Sequence, residues 1–87
     1  MIATQEITIG YFLYSGVNVG WNKLRLYNVE PTGAHALKKM SCSKDPVRLT
    51  QDGYCKSVYI VSLTLDQGET GEINAEIAFE EISCERR

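Results

Sequence analysis

Cys42, Cys55, Cys84 and His35 are the residues in this 87-residue chain most capable of chemistry. Together they match the Cys3His ligand set of structural zinc. Such sites usually take their ligands in pairs two to four residues apart, so that one tight turn holds two of them. Here the closest candidates, His35 and Cys42, are seven positions apart. The spacing predicts ordinary thiols and no metal. Nucleophilic catalysis by Cys42 or Cys55 needs His35 as its base and a third group to orient it, and acid–base chemistry needs carboxylates converging in a cleft. With one histidine, no HExxH or GxSxG pattern and no glycine-rich phosphate loop after a strand, the chain is expected to be neither an enzyme nor a cofactor carrier.

The charge pattern carries more information than its sum of −2. Between Lys23 and Lys56 seven bases face three acids; from Ser57 onward seven acids face only Arg86 and Arg87. A basic middle and an acidic end either neutralise each other in the fold or leave a dipolar surface that orients a charged partner or a second protomer. Glu72, Glu76 and Glu80 repeat every four residues at the acidic end. They read as a solvated row that blunts a strand edge or contacts a partner. On the basic side, Trp21, Lys23, Arg25 and Tyr27 alternate aromatic and cation, the surface on which small β folds stack bases, with Lys38 and Lys39 as further cations. The negative overall charge disfavours nucleic acid, which therefore stands as the alternative partner.

These side chains must be positioned by strands. In Ser57–Leu65, Tyr59, Val61, Leu63 and Leu65 alternate with Val58, Ile60, Ser62 and Thr64; after the loop 66–71, Ile73, Ala75, Ile77 and Phe79 alternate with polar residues. A helix over 72–83 is the competitor, but on a helical wheel its apolar residues scatter. Ile7, Ile9, Tyr11 and Leu13 predict one strand over 5–14, and the turn residues 15–20 lead into a second alternation with Leu24 and Leu26 inward. Ala34–Met40 predicts a short helix after Pro31-Thr32-Gly33, Pro46–Leu49 a short edge strand, and 50–53 a turn.

The whole predicts a single mainly β domain: a small antiparallel barrel or sandwich of four to five strands built from two hairpins, with at most one short helix. Its inward set is Ile7, Ile9, Tyr11, Leu13, Leu24, Leu26, Tyr59, Val61, Leu63, Ile73, Ile77 and Phe79. Phe12, Tyr14, Val58, Ile60 and Ile82 then fall on the opposite face, more apolar surface than one small sheet should expose. The expected function is accordingly a non-catalytic protein-interaction module or small inhibitor, a second copy being the simplest cover: a homodimer contacting its partner through Tyr14, Tyr27, Val58, Ile60, Glu72, Glu76 and Glu80. No uninterrupted apolar stretch exceeds four residues, so no membrane span is expected. An odd cysteine count and a start, Met1–Glu6, without a basic segment before an apolar run predict free thiols and a cytoplasmic location.

Overall fold

The computed structural model describes residues 4–51 and 53–82. Six strands and one helix follow in the order β1 (Gln5–Ile9), β2 (Phe12–Gly20), β3 (Lys23–Tyr27), α1 (Pro31–Ser43), β4 (Val47–Gln51), β5 (Tyr54–Gln67) and β6 (Ile73–Glu81). They close into a barrel, β1-β2-β3-β6-β5-β4, with β4 returning to β1 and every pairing antiparallel. The mainly β class is as the alternation predicts, and the barrel is the form it takes. The stretch after Gly71 is a strand, paired along nine positions with β5.

Gly10 explains why there is one strand more than expected. The chain reverses between Ile9 and Phe12, and Gly10 takes φ +65° at the first central position of this two-residue turn. A side chain there resists positive φ, so glycine sets the turn. The predicted strand over 5–14 is therefore two strands, and the predicted turn over 15–20 is the interior of β2. Pairing Ile7 with Tyr14 puts both inside, while Leu13, paired with Thr8, faces out. Tyr11 sits in the turn itself and is fully exposed. Further along β2 the walls close in. A Cβ on Gly16 would stand 2.6 Å from the Arg25 carbonyl oxygen and 2.8 Å from a Leu26 methyl, so this position admits no side chain without movement.

A second local feature corrects β5. Its register against β6 shifts between Ile60 and Ser62, leaving Val61 as the extra residue of a β-bulge. Before the bulge the even-numbered Val58 and Ile60 face inward; after it the odd-numbered Leu63 and Leu65 do. Val58 and Ile60 are thus core residues, not partner surface, and Tyr59 and Val61 are exposed, not core. The apolar excess on the "second face" is absorbed by barrel closure: a sheet rolled on itself gives Tyr14, Val58 and Ile60 an interior.

The core joins Ile7, Ile9, Tyr14, Leu24, Leu26, Leu49, Val58, Ala75, Ile77 and Phe79 from all six strands with Ala34 and Leu37 from α1. The helix is longer than expected at 13 residues. Pro31 opens it at a position where a backbone N–H has no partner, and Lys44 closes it at φ +63°. Glu30 precedes it without a side-chain cap. Packing therefore holds it more than capping does. Leu37 is fully buried, Met40 packs on the core beside Gly10, and Gly33 lies against the Tyr14 ring. These contacts place α1 across one mouth of the barrel, where β1, β3 and β5 end and β2, β4 and β6 begin. β4, expected as an edge, is flanked by β1 and β5; among the described residues the sheet has no free edge. Blunting an edge is thus not the task of Glu72, Glu76 and Glu80.

Candidate protein-interaction surface

Tyr11, Phe12, Leu13 and Tyr27, four of the large apolar residues left exposed, lie at the mouth where the β1–β2 turn meets the start of the helix; Val19, Trp21, Tyr59 and Val61 are exposed elsewhere on the barrel. Leu13 is 63% exposed, and Phe12 and Tyr27 are each 38% exposed. Along the barrel wall, Leu13 and Ser15 point outward on β2, and Tyr27 stands directly across from Ser15 on β3. The connector from β3 to α1 supplies the opposite wall. It is pinned: Asn28, at φ +57°, donates its backbone N–H to Asn74 Oδ1 at 3.2 Å, and the Val29 N–H donates to the Ile73 carbonyl at 2.7 Å. From inside the barrel, the Tyr14 hydroxyl donates to the Gly33 carbonyl at 3.2 Å and ties the first helical turn to β2.

Between these walls lies a groove of about 330 Å³, with Phe12, Leu13 and Tyr27 as its apolar lining and Glu6, Glu30 and Thr32 among its polar groups. No cation lines it, and Glu6 and Glu30 have no ion-pair partner among the described residues. Tyr27 is held on its other side by the Arg25 guanidinium, 5.9 Å from the ring centre. Arg25 is itself fixed by Asp66 at 3.1 Å and Glu76 at 3.4 Å. Hydrogen bonding to Asp66 holds its proton more tightly than in a free arginine. The groove sets Phe12, Leu13 and Tyr27 among a mostly polar lining that includes two carboxylates, which suits a segment carrying positive charge beside an apolar residue.

The structure separates the other predicted residues. Tyr14 is buried; burial pushes its phenol up to about 12. Of the acidic row, Glu76 is engaged by Arg25, and Glu72 lies before β6, where its hydrogen bond with the Thr70 hydroxyl holds it below the usual carboxylate range. Glu80 is exposed on the outer wall opposite Tyr59. Lys23, Arg25 and Tyr27 do share the outer face of β3, with Trp21 in the turn before them and 83% exposed. Lys38 and Lys39 belong to α1, where Lys38 shares a pocket with Asp66, the ion-pair partner of Arg25; Trp21 and Lys23 lie at the far end of β3. Cys42 and Cys55 are free and exposed, Cys55 taking a 3.8 Å contact from the Thr50 hydroxyl; Cys84 lies outside the described residues. Among the described residues, no three His, Cys, Asp or Glu side chains gather as metal ligands, and no helix is long and apolar enough to cross a membrane.

The sequence pointed to Tyr27 and to Phe12 as exposed apolar surface but not to Glu6, Leu13 or Glu30. For Leu13 the signal was Gly10: placing the hairpin turn there turns Leu13 outward. No protein-family model, curated protein or solved structure matches the chain.

Proposed function

We propose that the chain is a non-catalytic protein-interaction module whose docking surface is the groove beside the β1–β2 turn. One observation carries this reading: Leu13, Phe12 and Tyr27 expose apolar surface together in one groove, beside Glu6 and Glu30, which have no ion-pair partner among the described residues. Apolar residues clustered this way on a small domain cost solubility unless a partner uses them. Asp66 and Glu76 serve no reaction centre in this reading, since both are engaged as ion-pair partners of Arg25. A cytoplasmic setting fits two exposed thiols, which a reducing compartment keeps free.

The test is a displayed library of random peptides, selected against the immobilised domain and counter-selected against a Leu13→Lys variant. Leu13 faces solvent, so the variant keeps the fold while placing a charge on the groove floor. Selected peptides should combine apolar and basic residues and should bind the variant at least about tenfold more weakly, the effect of losing one central apolar anchor. Peptides that bind both proteins equally would sink the assignment.

A further inference from the structure

We infer that the groove's occupant is a second copy of this chain, presenting the outer face of its own helix α1; this rests on the groove being a docking surface. Arg25 is paired with Asp66 and Glu76, and Lys56 with Glu81 at 2.8 Å. Lys23, Lys38, Lys39, Lys44 and Arg48 have no ion-pair partner among the described residues, and all five are exposed. Lys23 stands where β3 begins, at the far mouth; Lys38 and Lys39 are one turn beyond His35 on the solvent side of α1, a helix without a single acid from Pro31 to Ser43, and Lys44 follows at its C-terminal end, with Asp45 and then Arg48 beyond it. The groove is the complement in charge: Glu6 and Glu30 line it, and no cation does.

Geometry favours a reciprocal contact. Thr32 and Gly33, in the first turn of α1, form one wall of the groove, so the acidic groove and the basic stripe are neighbours at the same mouth of the barrel. A two-fold axis between them seats each helix against the other copy's groove, making the same complementary contact twice. Tyr11, fully exposed at the turn tip beside Met40 and Pro46, adds apolar surface at that mouth. Strand addition is not available as an alternative, because the described sheet is closed and offers no edge.

Sedimentation equilibrium on the full chain tests this. Twice the chain mass is expected at about 50 mM salt, with the dissociation constant rising at least about tenfold by 500 mM as screening weakens the charge pairing. Lys38→Glu with Lys39→Glu should give a single-chain mass, as should Glu6→Lys with Glu30→Lys; all four together should restore the dimer. Circular dichroism identifies any variant that has lost the fold, and the wild-type mass and the remaining pair then decide. A wild type of single-chain mass at about 100 μM, or a folded pair that leaves the dimer intact, overturns the inference. If the wild type is a single chain while library peptides still need Leu13, the groove stands as a docking site and only the second copy falls. If neither is seen, both fall.

Discussion

Tyr14 is the residue where one side chain does most for the architecture. Its ring packs under Gly33, its hydroxyl holds the first turn of α1, and its burial disfavours the phenolate. The folded-state value of about 12 stands above the ordinary value of 10, so the stability tied to the neutral phenol is complete below pH 10 and is lost as pH rises through about 12. That loss amounts to about 2–3 kcal/mol. Tyr14→Phe removes the hydrogen bond, for about 1 kcal/mol at pH 7, but cannot ionise. Urea unfolding should therefore find the variant less stable at pH 7 and the order reversed near pH 12; a constant gap would show that the phenol is not buried as described. From sequence, Tyr14 looked like exposed surface for a reason of parity alone. Its neighbours Ile7 and Ile9 read correctly because they precede Gly10, and the inward assignments of Tyr11 and Leu13 inverted because the reversal went unnoticed.

At the scale of elements, alternation located the strands but not the two places where it breaks. The β6 ribbon was legible because Ile73, Ala75, Ile77 and Phe79 run without interruption. In β5 the bulge at Val61 exchanges the inward and outward sets midway, and apolar residues on both sides of it conceal the exchange. This makes a sharp expectation about two exposed residues. Deleting Val61 leaves Ile60 opposite Phe79 and Ser62 opposite Ala78, now consecutive, with both inward sets unchanged. The deletion should fold, with stability within about 1 kcal/mol of the parent. Deleting Thr64 instead turns either Leu63 or Leu65 outward and should cost about 2–3 kcal/mol or more. Thermal melting separates the two, and equal losses would mean the register is not as drawn. The helix was underestimated for a different reason: Ser41, Cys42 and Ser43 are weak helix formers, and what keeps them helical is the seating of Leu37 and Met40 in the mouth of the barrel.

For the whole molecule, closure is the property that composition and alternation left open, since two hairpins and a helix fit a sandwich equally well. It rests on the seam between β1 and β4, only three residue pairs long, reinforced by the Gln51 amide donating to Gln5 at 2.6 Å. Thr8 sits mid-seam, paired with Leu13 on one side and Thr50 on the other. An edge strand tolerates proline and an enclosed one does not. Thr8→Pro should cost about 3 kcal/mol or more and lower the melting temperature by more than 10 °C; an unaffected melt would favour an open sheet. Strand direction has one more consequence. β1 begins and β6 ends at the mouth that α1 does not cover, so a linkage made at Gln5 or Glu81 holds the barrel by the face opposite the helix. A domain anchored at either position to a bead or a sensor chip displays its helical cap to the solution.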